Sequence, residues 1–207
     1  MKLLILGATG RVGKAITAQA MADGHLVTVL VRDPARLEVV SSANLTIRQG
    51  NSCVEKDVFQ AVQGTDAVIS ALSTDGGSVL SESTPFLVAA LKANAVRRIV
   101  TIGTSGILES KEHPGLLRYE TPDSRRSSTR ASEEHRQAWE QLSGSDLDWT
   151  VVCPTYLPAG ERTGSYRVER NYLPSGGASI SVADTADFAY NQLFTKEYSR
   201  VRVGIAY

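Results

Sequence analysis

Three glycines spaced three apart, in Gly7-Ala-Thr-Gly10-Arg-Val-Gly13, follow directly on the apolar run Leu3-Leu-Ile-Leu6. This pattern suits the close approach of a backbone to a pyrophosphate. Glycine permits the tight turn, and the first turn of a following helix offers free N–H groups and the positive end of its dipole. A tight strand-to-helix turn without a ligand is the competing reading, and three glycines in a strand–turn–helix context make dinucleotide binding the expectation. The dinucleotide is chosen at the end of the second strand, where a carboxylate holds a ribose 2′-hydroxyl and an arginine suits a 2′-phosphate. There the chain reads Val29-Leu-Val-Arg32-Asp-Pro-Ala-Arg36. Arg32 stands at the discriminating position and Arg36 one helical turn on, so NADPH is expected over NADH. Asp33 suits the N-cap of a helix beginning at Pro34.

Other reactive side chains are sparse. Cys53, Cys153 and the histidines His25, His113 and His135 show no metal-ligand spacing, so no metal is expected. Cys153 closes a strand, where a free thiol behaves as a small hydrophobe. His135 lies among Glu133, Glu134 and Arg136, which reads as the exposed side of a charged helix, with proton donation as the alternative. Trp149 reads as core.

These residues need elements to hold them. Val-, Ile- and Leu-rich runs mark strands at 2–6, 26–31, 45–48, 67–71, 98–102 and 149–153. Most lack polar alternation, as parallel strands covered on both faces do. Helices are expected between them, at about 12–22, 34–41, 54–62, 85–94 and 130–142. Asp23-Gly24 provides a stop for the first, and Thr84-Pro85 reads as an N-cap followed by proline at the first helical position. Alternating strands and helices imply an α/β fold of Rossmann type, a doubly wound parallel sheet formed as one domain over 1–207. Two long connections, about 105–130 and 154–180, follow strand ends, where open sheets of this kind bind ligands.

Composition narrows the function. Lys and Arg number 22, as do Asp and Glu, leaving a formal net charge of zero. A nucleic-acid or anionic-membrane binder would need a basic excess. No apolar run approaches the roughly 20 residues of a membrane helix. The apolar run after Met1-Lys2 stops at Gly7, too short for a secretory leader, and a cytoplasmic protein is expected.

The chain resembles the atypical short-chain dehydrogenase/reductases with NmrA-like domains, and within them the flavin reductase / biliverdin-IXβ reductase family. The resemblance runs from Gly7-Ala-Thr-Gly10 through Asp66-Ala-Val-Ile-Ser-Ala-Leu72, Arg97-Arg-Ile-Val-Thr-Ile-Gly-Thr104-Ser105 and Asp146-Leu-Asp-Trp-Thr-Val-Val-Cys-Pro154. It continues through Thr163-Gly-Ser-Tyr166 and Ile180-Ser-Val-Ala-Asp184. It implies that Gly7, Thr9, Gly10, Arg11 and Val12 cradle the pyrophosphate and that Arg32 and Arg36 meet the 2′-phosphate. Asn51 and Ser52 would flank the adenine, Leu72, Ser73 and Thr74 would line the cofactor, and Pro154, Thr155 and Tyr156 would support the nicotinamide. Thr104 aligns with the family's active-site hydroxyl, with Ser105 beside it as the alternative. The implied function is an NADPH-dependent reductase, acting as a monomer on a small molecule such as a flavin or a tetrapyrrole. The basic run Arg125, Arg126 and Arg130 reads equally as a contact for that substrate's anionic groups and as a solvated loop. The departures are informative. No Tyr-x-x-x-Lys pair is present; His135 and Trp139 stand in its place, which disfavours chemistry requiring that base. Asn51 replaces a more usual acid, and Asp75 stands where the family can carry a basic residue. A second reading follows from the missing pair: an NmrA-like redox sensor that binds NADP(H) without turnover.

Overall fold

A computed structural model of the chain describes residues 1–38, 42–122, 124 and 128–207. Its parallel strands are β1 (Lys2–Leu6), β2 (Leu26–Val31), β3 (Leu45–Gln49), β4 (Ala67–Ser70), β5 (Arg98–Ile102), β6 (Asp148–Pro154) and β8 (Val201–Ala206), and β7 (Arg167–Arg170) runs antiparallel along β8. They form one sheet in the order β3-β2-β1-β4-β5-β6-β8-β7. The helices are α1 (Arg11–Ala22), α2 (Glu55–Val62), α3 (Val79–Ala93), α4 (Arg130–Ser143) and α5 (Val182–Asn191). The doubly wound Rossmann-type expectation is met.

Alternation along β1 shows how the two layers are assigned. Leu3 and Ile5 pack with Val12, Ile16 and Ala20 of α1 and with Ala186, Ala189 and Tyr190 of α5. Leu4 and Leu6 pack on the opposite face with Val58 and Val62 of α2 and with Leu87, Ala90 and Leu91 of α3. Successive strand side chains point to opposite faces, so a strand covered on both sides must be apolar throughout. Chain order reverses between β1 and β4, and the carboxyl ends of these strands therefore border a crevice.

Three expectations change. The helix expected over 34–41 is a single 3₁₀ turn, Pro34–Arg36, with residues 39–41 outside the described set; Asp33 does cap it, accepting from Ala35 N at 3.0 Å. The helix expected to start at Pro85 begins at Val79, and Pro85 lies inside it. A proline there leaves the carbonyl four residues back without its helical donor. That carbonyl belongs to Ser81, and it accepts from Gln141 Nε2 of α4 at 3.2 Å instead. Buried Glu134 of α4 takes both the amide and the hydroxyl of the same serine, at 3.2 and 3.0 Å. The helix–helix contact thus repairs what the proline breaks. The third change is the C-terminal unit β7, α5 and β8, which the strand and helix reading did not contain.

That unit is tied to the 154–180 connection by Asp184. Its fully buried carboxylate accepts from the amides of Thr163 and Gly164, both at 2.8 Å, and from the hydroxyls of Thr163 and Tyr207, both at 2.7 Å. Burial pushes its pKa up, and the donors, Tyr207 foremost, more than offset this, leaving it below the ordinary carboxylate value. A depressed folded pKa contributes stability that is complete above the unfolded value, about 3.9, and is lost as pH falls through the folded value. Asp184→Asn should therefore cost about 1.5–3 kcal/mol at pH 7, the worth of hydrogen bonds to a charged group. Urea midpoints measured between pH 7 and 3 should fall less steeply in the variant than in the wild type. Parallel curves would assign the acid sensitivity elsewhere.

Candidate functional site

The glycine turn is shaped by contacts that exclude side chains. Gly7 has φ +76°, and a Cβ on it would sit 2.4 Å from the Ala71 carbonyl oxygen; one on Gly13 would sit 2.2 Å from the Gly7 oxygen. Gly10 N donates to Gly7 O at 2.9 Å, and Gly10 is the N-cap of α1. This cradle borders a cleft of about 190 Å³. Its wall brings together Gly7, Thr9, Gly10, Arg32, Arg36, Asn51, Ser52, Leu72 and Ser73 from the sequence-predicted set, together with Gly50, Asp75 and Val79.

Other predicted contacts lie outside that wall. Val12 is buried in the core beneath the turn. Arg11 directs Nη1 to the Leu157 carbonyl at 2.7 Å, tying the glycine turn to the segment after β6. Thr74 lies in the turn between β4 and α3, its carbonyl accepting from Gly77 N at 2.7 Å, and Pro154 is buried at the end of β6. Asn51 organises its own loop. Its Oδ1 accepts from Cys53 N at 3.0 Å, while its N–H is taken by Asp57 at 2.8 Å.

A second cavity, about 720 Å³, opens after β5 and β6 and is lined by Thr104, Ser105, Thr155 and Tyr156 with Ser110, Glu112, His113, Arg118, Thr121 and Ser124. Both candidate hydroxyls are therefore at one cavity. Thr104 caps the 3₁₀ turn Ser105–Ile107, its Oγ1 accepting from Gly106 N at 3.4 Å, and Ser105 is buried. Tyr156 is 71% exposed, leaving an aromatic ring free at the cavity wall. Arg125 and Arg126 lie outside the described residues; Arg130 is the exposed first residue of α4.

His135 is not on an exposed face. It is half-buried and lines a separate cavity of about 20 Å³ with Ser83, Thr84, Thr101 and Trp139, and its neighbour Glu134 is buried on Ser81. The charged-helix pattern misled because α4 packs this side against α3. Trp149 and Cys153 are core as expected, and burial leaves the Cys153 thiol pushed up to about 12. Among the described residues no group of three or more His, Cys, Asp or Glu side chains converges as a metal site.

Sequence reasoning missed Arg202. This β8 guanidinium is buried, donates to the Ile107 carbonyl and to Glu109 at 3.0 Å, and lies 3.8 Å from the Trp139 ring centroid. It holds the turn that carries Thr104 and Ser105. An arginine alternating with valines in Val201-Arg-Val203 was the available signal.

A strand-to-helix glycine turn at the switch point of a doubly wound sheet, with arginines at the end of β2, defines a dinucleotide-binding Rossmann protein. The chain belongs to the NAD(P)H-binding family, whose model matches residues 7–196, consistent with the atypical short-chain dehydrogenase/reductase resemblance. It is 28% identical over 214 residues to the uncharacterized protein YwnB of Bacillus subtilis (strain 168), covering 98% of this chain and 96% of that one. Among solved structures it is similar to a candidate exported protein from Burkholderia pseudomallei, at 30% identity and TM-score 0.85, with both chains fully covered. It is similar also to a candidate NADH-flavin reductase from Streptococcus pneumoniae TIGR4, at 26% identity and TM-score 0.82, covering 100% of this chain and 99% of that one. A longer relative, the photosystem II assembly factor Ycf39 of Synechocystis, is 30% identical over 120 residues, 55% of this chain and 36% of its own length.

The cradle is testable through Gly7. Gly7→Ala combines a positive φ with an overlap against backbone, so it should destabilise the protein by at least about 2 kcal/mol. It should also weaken dinucleotide binding. Urea unfolding and a cofactor titration measure both; an unchanged midpoint would mean that the turn adapts.

Proposed function

We propose that this chain is an NADPH-dependent reductase that delivers a hydride to a planar conjugated acceptor, a flavin such as FMN or a biliverdin-like tetrapyrrole. The observation that carries the reading is the pair of openings at one edge of the sheet. A glycine cradle with Arg32 and Arg36 lies at the ends of β1 and β2, and a polar cavity holding Thr104, Ser105 and Tyr156 lies after β5 and β6. The residues suit the cofactor. The space that a Cβ at Gly7 would fill lets backbone approach a pyrophosphate, α1 begins there, and Arg32 and Arg36 line the cleft where a 2′-phosphate would lie. When bound, NADPH supplies the hydride. Thr104 or Ser105 would orient the carboxamide or the acceptor, and Thr155 and Tyr156 would flank the ring. Similarity to a candidate NADH-flavin reductase supports a flavin acceptor. As the family resemblance implies, the reductase of this reading is a cytoplasmic monomer.

Reducing the acceptor also takes one proton per hydride. His135 lines its own small cavity, which shares no lining residue with the cavity of Thr104, so it is not among the side chains offered to an acceptor there. A dedicated general acid contributes about 10²–10⁴-fold. Single-turnover FMN reduction should therefore fall less than about tenfold in His135→Ala and somewhat more in Thr104→Ala or Ser105→Ala. A loss beyond about 10³-fold in His135→Ala would make that side chain the acid.

Two further measurements bear on the assignment. Purified protein with NADPH and FMN should consume NADPH, followed at 340 nm. Tight NADPH binding without turnover on FMN, biliverdin or a quinone would favour the sensor reading instead. Arg32→Ala should weaken NADPH by about tenfold, the lower end for a hydrogen bond to a charged group because Arg32 is exposed, and should leave NADH nearly unchanged. Equal losses for both cofactors would make Arg32 structural.

A further inference from the structure

Arg32 is the side chain that would read a cofactor's 2′-phosphate, and its guanidinium is already paired. Its Nη2 lies 2.7 Å from Oδ2 of Asp75, with the two side chains 60% and 56% exposed. Asp75 comes from a different part of the cleft wall, the turn between β4 and α3, and reaches Arg32 from an uncommon backbone conformation. Its φ is +50°, followed by +70° at Gly76, and Gly77 N closes the turn on Thr74 O at 2.7 Å. Among residues with a Cβ, aspartate and asparagine are the more tolerant of this region. Ser73 Oγ receives the Asp75 amide at 3.4 Å. Arg32, Arg36 and Asp75 all line the same cleft. The nearby acid Asp33 is turned away to the Ala35 amide, so Asp75 supplies the carboxylate that Arg32 meets.

We propose that Asp75 is an internal stand-in for the 2′-phosphate and thereby a specificity-determining residue that narrows the preference for NADP(H) over NAD(H). The inference rests on the reading of this cleft as the dinucleotide site. A phosphate arriving at Arg32 must either displace the carboxylate, forfeiting the ion pair, or share the guanidinium with it, setting two anions side by side. A ribose with a free 2′-hydroxyl makes neither demand, and the carboxylate can accept its proton in a hydrogen bond. NAD-selective sites place an acid at the end of the second strand for that purpose. Here the acid arrives from the fourth strand's turn and faces an arginine. Specificity follows from the difference between the two affinities, and Asp75 lowers the one for the phosphorylated form while leaving the other nearly unchanged.

Adenosine 2′,5′-bisphosphate and 5′-AMP isolate this end of the cofactor with and without the 2′-phosphate. Titrating both calorimetrically into the full chain at low ionic strength involves no turnover. Asp75→Asn keeps the side chain's shape and suits the positive φ; Asp75→Gly removes the side chain and suits the φ better still. Both variants should bind the bisphosphate about three- to fivefold more tightly, the upper range for breaking an exposed ion pair, and change 5′-AMP by less than about twofold. In an Arg32→Ala background the same changes should have no effect. An unchanged bisphosphate-to-AMP ratio in both Asp75 variants, with that preference still lost in Arg32→Ala, would overturn the inference and leave the cofactor reading standing. A wild-type ratio in Arg32→Ala would instead remove the cofactor reading, and the inference with it.

Discussion

At Gly7 the backbone turns through φ +76° and passes so close to the Ala71–Leu72 peptide that an added methyl would lie 2.4 Å from the Ala71 oxygen. This contact joins the end of β1 to the end of β4, the neighbours between which strand order reverses. The helices that follow leave for opposite faces of the sheet, α1 packing with Leu3 and Ile5 and α3 with Leu4 and Leu6. A crevice opens between such divergent connections. Gly13 extends the constraint: without a Cβ, the first turn of α1 can settle on the Gly7 carbonyl, which fixes where the helix begins. Backbone therefore shapes the cleft at Gly7 and Gly10, and the charged side chains on its wall are Arg32, Arg36 and Asp75.

The second cavity is held from the other end of the chain. Arg202 on β8 binds the Ile107 carbonyl and so secures the turn beginning at Ser105. Tyr207 donates to Asp184, whose other donors come from Thr163 and Gly164 in the segment after β6. Loops carry backbone polar groups that need partners once buried. These side chains supply the partners, and they let long connections keep a fixed shape beside a cavity.

The parts of this design that were legible in the sequence are those governed by local rules. The glycine spacing, the apolar strand runs and the Arg32–Arg36 pair each stand within a short window, and they located the fold class and most of one cleft. The C-terminal unit was missed although Ser181-Val-Ala-Asp184 has the form of a capping motif; Ser181 Oγ indeed accepts from Asp184 N at 2.9 Å. Its helix buries Asp184, Thr185 and Asp187 along with its apolar residues, so the polar positions of the sequence do not mark an outer face. Pro85 misplaced the start of α3 because its remedy lies on another helix, 56 residues on at Gln141. His135 was misjudged for the same reason: charge around a residue in sequence does not report which face a neighbouring helix covers.

The structure separates residues that position from residues that recognise, and the physical basis of the separation is burial. Arg202 and Asp184 are buried and fully engaged, so removing either leaves stranded partners, and no ligand can compete for them. Arg32 and Asp75 are more than half exposed, and a pair in that setting is worth little beyond what water would give. Weakness is what makes the rim pair usable. An arginine held as tightly as Arg202 would never exchange its carboxylate for a phosphate, whereas one left in solvent can trade partners for a small free-energy difference. Tyr156 follows the same logic on the other cavity, an exposed ring beside a buried proline and an anchored backbone, with Ile180 N donating to its carbonyl at 2.9 Å. Rigid backbone sets where a ligand sits, and loosely held rim side chains set which ligand is preferred. Substitutions at the rim should therefore redirect preference with little effect on the fold, while the buried anchors tolerate almost no change in kind.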